Sequence, residues 1–128
     1  MSKVTECSLI IKDDFNNMFI IRRKTKRNQP QLWYNVGKRI KGKETEEKCI
    51  AKAVKDDLKS IVFNLERIGE IKSSEENDEL CAIYIAELKE KVVYGTDIAE
   101  GKWVSARELE HYCLAEGEKE KVLCYINR

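Results

Sequence analysis

Apolar residues fall along this chain in two different periods. Leu9-Ile10-Ile11 and Met18-Phe19-Ile20-Ile21 are short runs, separated by Asp13-Asp14-Phe15-Asn16-Asn17, a turn composition. They predict strands over residues 4–12 and 18–22, joined as a hairpin. A basic loop ending at Pro30 follows, then a short apolar and aromatic segment over 32–36. Residues 37–44 read as a glycine-containing loop of mostly charged residues.

The period then changes. Ile50, Val54, Leu58 and Ile61 recur at helical spacing, Thr45 is a suitable N-cap, and Glu46 and Glu47 sit where the helix dipole favours acids. At about 100° per residue, Asp57 falls roughly 20° from Ile50, inside the apolar stripe. A carboxylate buried there is costly without a partner. Backbone N–H groups of the preceding loop could serve Asp57, and Lys52 or Lys59 on adjacent turns could serve Asp56.

Strand character returns over 62–72. A polar turn with three acids spans 73–78. Residues 80–88 are apolar on both parities, as in a central strand covered on both faces. A short strand is predicted at 91–94 and another at 100–104. Ser105 and Glu108 form a capping box that predicts a helix to about residue 112. A last helix is expected over 118–126, with Val122, Leu123 and Ile126 inward. The order β-β-(β)-α-β-β-(β)-β-α-α describes one mixed sheet with helices against it.

Composition narrows the class. With 128 residues, 37% charged and 42% hydrophobic, the chain has the size and balance of one globular domain. No apolar run approaches the ~18 residues of a membrane span, and no apolar stretch follows a basic start, so a cytoplasmic protein is expected. The five cysteines are odd in number, lack a C-x-x-C pair and lie among apolar residues, which predicts buried thiols. His111 is the sole histidine, so a multi-histidine metal site is excluded and a histidine-based triad is not expected.

Net charge is +1, yet residues 15–43 carry nine basic side chains and no acid, leaving a balance of 15 basic to 23 acidic groups elsewhere. The segment is either an anion-facing surface or a pair of solvated loops.

The chemistry concentrates in "WYNVGKRIKGKETEEKCIAKAVKDDLKSI", residues 33–61. This stretch resembles the Nudix box, G-x5-E-x7-R-E-U-x-E-E-x-G-U, and the W-x-x-P-G that precedes it. Trp33, Gly37, Gly42, Glu44, Val54, Asp56 and Asp57 fall in register without a gap. The hairpin before the box and "EGKWVSAREL" after it follow the Nudix order over almost the whole chain. The departures are equally specific. Lys38 replaces the first glycine, Lys52-Ala53 the Arg-Glu pair, Asp56-Asp57 the Glu-Glu pair and Lys59 the late glycine; Val36 and Lys41 replace a proline and an acid.

The resemblance implies a single α/β domain over residues 1–128, built as an α/β/α sandwich on a mixed sheet. It implies Mg²⁺ or Mn²⁺ bound by carboxylates at i, i+3 and i+4, here Ala53, Asp56 and Asp57, and hydrolysis of a nucleoside diphosphate derivative or related pyrophosphate. One ligand is missing, and each Asp reaches about 1.5 Å less far than Glu. Misplacement by about 1 Å costs roughly 100-fold in rate, so weak metal binding and weak activity are expected. By the same resemblance Glu100 is a candidate general base and Arg23 a phosphate ligand. Gly37, Gly42, Glu44 and Lys52 form the loop brace. Lys38 and Lys41 could offset phosphate charge in place of metal, and Trp33 and Trp103 could stack on a base.

Two functions follow. One is a hydrolase with an eroded metal site. The other is a catalytically inactive module that holds a nucleotide or phosphorylated ligand on its basic loops. Nucleic-acid binding ranks below both, because no aromatic platform interleaves the basic run. No membrane partner is expected, and a homodimer stays open.

Overall fold

The computed structural model describes residues 3–73 and 78–127. Most of the polar turn expected at 73–78 lies outside the described residues.

Strands β1 (Lys3–Lys12), β2 (Met18–Arg23), β3 (Trp33–Tyr34), β4 (Val36–Arg39), β5 (Val62–Lys72), β6 (Glu79–Leu88) and β7 (Ile98–Val104) form one mixed sheet. Its main path runs β3-β2-β1-β6-β5, with β4 paired to β1 and β7 to β2. The β1–β6 pair is parallel, and the others are antiparallel. Helix α1 (Glu46–Leu58) covers one face and α2 (Glu118–Ile126) the other. This is the expected α/β/α sandwich.

Strand parity builds both cores. Cys7, Leu9 and Ile11 of β1, with Ala82, Tyr84 and Ala86 of β6, pack beneath α1. Their neighbours Ile10, Cys81, Ile83 and Ile85 pack beneath α2. β6 is therefore the doubly covered strand that its apolar run predicts. Full burial of a Leu or Ile side chain contributes about 1.5–3 kcal/mol, so these two strands anchor the fold.

Several elements depart from expectation. Residues 37–39 are strand rather than loop, because they pair with β1 from Ser8↔Gly37 to Glu6↔Arg39. Helix α1 is capped by Thr45, whose hydroxyl accepts from Lys48 N–H at 3.2 Å. It stops at Leu58, since Lys59 turns left-handed (φ 48°). Ile61 therefore leaves the apolar stripe and is 50% exposed.

No strand forms at 91–94. That segment lies across the end of α1, where Val93 N–H donates to Leu58 and Gly95 N–H to Asp57, both at 2.8 Å. These bonds satisfy carbonyls that a helix end leaves open. The Ser105–Glu108 box forms reciprocally, at 3.0 and 3.2 Å, but opens a single 3-10 turn over Glu108–His111. In α2, Val122 is buried, whereas Leu123 and Ile126 are exposed. Glu118 and Lys121 take the inward positions instead. Cys7, Cys49 and Cys81 are buried and free, and Cys113 is exposed.

Acid lability follows from the carboxylates that brace α1. Lys52 and the Lys41 amide hold the Glu44 carboxyl below its ordinary range. Burial alone would raise Glu46, but hydrogen bonds from Arg67 and Tyr84 outweigh it and lower it. Both folded values lie below the unfolded ones, so their contribution is complete above the unfolded range and is lost as pH falls through the folded values. Thermal melts should be flat from neutral pH down to about 5 and decline below that. Lys52→Met should make the decline shallower; an equally steep decline in that variant would remove Glu44 from this account.

Candidate functional site

A cleft opens where the hairpin strands part. β1 pairs with β2 only at Ile11↔Phe19 and Lys12↔Met18. Beyond that point β4 takes the place of β2 beside β1. The gap is a cavity of about 170 Å³. Its floor is Cys7, Ser8 and Gly37; its rim carries Arg23, Tyr34, Lys38 and Arg39. Asn35, Glu6, Glu118 and Lys121 complete it. Gly37 is required there, since a Cβ would sit 2.5 Å from the Cys7 carbonyl oxygen and 2.7 Å from Ser8 Oγ.

Helix α1 brings its two aspartates to cations of this rim. Arg23 grips Asp57 with both guanidinium ends, Nη2–Oδ2 at 3.1 Å and Nη1–Oδ1 at 3.4 Å. The Asp57 side chain is 13% exposed, so Arg23 is the partner that its place in the apolar stripe requires. The guanidinium also lies 5.6 Å from the centre of the Tyr34 ring. Asp56 is outside the stripe, with its carboxylate 3.6 Å from Lys38 Nζ. Neither partner is the lysine or loop amide that the sequence offers.

Lys52 Nζ reaches Glu44 Oε2 at 2.6 Å, and Glu44 Oε1 accepts from Lys41 N–H at 3.2 Å. Gly42 turns the loop with φ 58°. Lys41 thus joins the site through its backbone, and its side chain is not part of the cleft lining.

Two other expectations are corrected. Trp33 is 8% exposed and packs edge-on against Tyr112, 5.2 Å between ring centres, in a core cluster with Ile20 and Val104. It does not offer a face for stacking. Glu100 pairs in register with Arg22, and its carboxylate accepts from Arg22 Nε at 3.0 Å. Successive side chains of β2 point to opposite faces. Phe19 and Ile21 belong to the α1 core, and Arg23 takes the same face by its contact with Asp57. Arg22 and Glu100 therefore lie on the other face, away from Asp57. The register irregularity between Arg22 and Arg23 aligns Ile98 with Arg23 and leaves Glu100 behind.

The donor set does not suit a divalent metal. Mg²⁺ needs oxygen ligands converging at close to octahedral geometry. Ala53 supplies no oxygen, and Asp56 and Asp57 each face a cation. Among the described residues no group of three or more His, Cys, Asp or Glu side chains is arranged to hold a metal ion. The expected Mg²⁺ or Mn²⁺ site therefore does not fit these residues as they stand.

The basic segment also acquires a structural role. Arg22, Arg23, Lys38 and Arg39 pair with Glu100, Asp57, Asp56 and Glu79, acids from the rest of the chain. Tyr34, Asn35, Glu118 and Lys121 escaped the sequence reading. Tyr34 and Asn35 lie inside the stretch 33–61, whereas nothing in the periodicity of 118–126 marks two charged residues as inward.

No protein-family model matches the chain, and no curated protein does. Its fold does match solved structures. A NUDIX hydrolase from Nitrosomonas europaea superposes with a TM-score of 0.77 at 11% identity, over 98% of this chain and 90% of that one. A MutT NUDIX hydrolase from Burkholderia pseudomallei gives 0.79 at 12% identity, over 95% and 98%. The NUDIX domain of Shewanella oneidensis NrtR, solved with ADP ribose, gives 0.75 at 14% identity, over 100% and 89%. The chain has the Nudix fold. No helix is long and apolar enough to cross a membrane among the described residues.

Proposed function

We propose, from a Nudix fold whose box aspartates are held by cations, that this protein binds a nucleotide or related pyrophosphate in the cleft and hydrolyses it weakly if at all. One observation carries the reading: Arg23 and Lys38 face Asp57 and Asp56 at the positions where the resemblance places metal ligands. A phosphate arriving in the cleft competes for those cations. Arg23 can offer it the same two-pronged donor geometry that it now gives a carboxylate. Tyr34 holds the guanidinium from behind. The ADP ribose in the NrtR domain makes that compound a suitable first probe.

The test is thermal stabilisation by ADP-ribose, ADP and pyrophosphate, in chelator and in Mg²⁺ or Mn²⁺. Binding at 100 times the dissociation constant stabilises by about 2.7 kcal/mol. Stabilisation should persist in chelator and vanish in Arg23→Ala. Asp57→Ala should bind more tightly while melting lower, because it frees the guanidinium and removes its partner.

The exposed position of Asp56 favours one competing reading, residual metal-assisted hydrolysis. Stabilisation confined to Mg²⁺ or Mn²⁺, with phosphate release abolished in Asp56→Asn/Asp57→Asn, would establish that reading instead. RNA or DNA binding that falls steeply with salt, without any mononucleotide effect, would displace both.

A further inference from the structure

On the outer side of α1, away from the cleft, Glu47, Ala51, Lys55 and Lys59 succeed one another at four-residue intervals and line one edge of a groove of about 590 Å³. The groove is walled by Ile50, Val54, Val62 and Leu65, and Ile61 stands half exposed beside it. The Lys55 and Lys59 ammonium groups have no hydrogen bond or ion pair among the described residues. Glu47 has only a 3.3 Å contact from the Tyr84 hydroxyl. Glu90 lies at the Lys59 end of the groove, where its carbonyl accepts from Ser60 Oγ.

The charges are opposite and equidistant about Ala51. Glu47 and Lys55 are eight residues apart, about 12 Å along the helix axis, too far to pair with each other. A second α1 laid antiparallel, with Ala51 against Ala51, would bring each Glu47 beside the other copy's Lys55. The pair would form twice about one two-fold axis, as an isologous contact requires. Ala51 at the centre has the smallest side chain that still favours helix, which allows the axes to approach. Each copy's Ile61 and groove would then lie at the border of the contact, where apolar surface is open on both.

We infer that the outer face of α1 is the self-association surface of this protein, and that a second copy of the chain occupies it antiparallel. Sedimentation over a micromolar to millimolar range tests this directly. The wild type should pass from monomer to about twice its mass, and more readily at low salt. Glu47→Lys and Lys55→Glu should each shift the curve toward monomer, since each places like charges together twice. The double variant Glu47→Lys/Lys55→Glu should restore the dimer. Melting curves of all four proteins separate loss of association from loss of folding. A wild type that stays monomeric throughout overturns the inference. So does a dimer that survives both single reversals, or a double variant that melts like the wild type yet fails to reassociate.

Discussion

Gly95→Ala should lower the stability of this protein by about 3 kcal/mol and its melting temperature by about 10 °C. A Cβ built at Gly95 lies 2.0 Å from the Asp56 carbonyl oxygen and 3.1 Å from its carbon. The obstacle is helix backbone, so no side-chain rotation relieves it. The segment must lift from the end of α1. It then loses the hydrogen bonds from Gly95 to Asp57 and from Val93 to Leu58, each worth about 0.5–1.5 kcal/mol. Gly42→Ala is the control. Gly42 has a φ of 58° but open space around its Cβ position, so only backbone strain of about 1 kcal/mol applies. Chemical or thermal melts of the two variants compare close approach with strain. Equal losses would mean that the contact with α1 does not limit residue 95. The lifted segment also abuts the residues of the candidate site, so Gly95→Ala should weaken ligand binding with no contact to the ligand itself.

Ala53→Glu should cost about 3 kcal/mol in the presence of chelator. Ala53 is 2% exposed and lies on the buried face of α1, so a carboxylate there is buried, while the cleft cations Arg23 and Lys38 already have Asp57 and Asp56 as partners. Adding Asp56→Glu and Asp57→Glu restores three carboxylates at i, i+3 and i+4 with full reach. That triple variant should be unstable in chelator and recover with Mg²⁺ or Mn²⁺, whereas the wild type should show no metal-dependent shift in melting. Phosphate release from nucleoside diphosphate derivatives should rise in parallel. A triple variant indifferent to metal would count against aligning residues 53, 56 and 57 with the Nudix box. The two designs probe opposite properties of α1, the tightness of its end and the chemistry of its inner face.

Much of this architecture is legible in the residues. Leu9-Ile10-Ile11 marks a strand, the run over 80–88 marks one covered on both faces, and the two lie side by side at the centre of the sheet. Thr45 and the Ile50-Val54-Leu58 spacing mark α1, and its stripe is buried as far as Leu58. Glu44 and Lys52 meet as the loop brace. These features are local: a period, a cap or a composition that tertiary structure has no cause to overrule.

The candidate site was less legible, because its parts are defined by partners distant in sequence. Angular position alone shows that Asp57 needs a partner. Only the departure of β2 from β1 makes that partner Arg23, 34 residues away. Glu100 has a suitable residue type near Trp103, but strand parity turns it to Arg22 and the opposite face. Leu123 and Ile126 are apolar enough for a core, yet α2 presents Glu118 and Lys121 inward, where they pair at 2.6 Å. The sequence by itself determined the first hairpin, the doubly covered strand over 80–88, the start of α1 and the residue types available for chemistry. Hydrophobic period and capping act within a few residues, which is why they can be read along the chain. Tertiary structure alone decided which charges meet, which face each strand residue takes and where α1 stops. Those outcomes depend on register and on the approach of the segment at 93–95, and no local pattern encodes either.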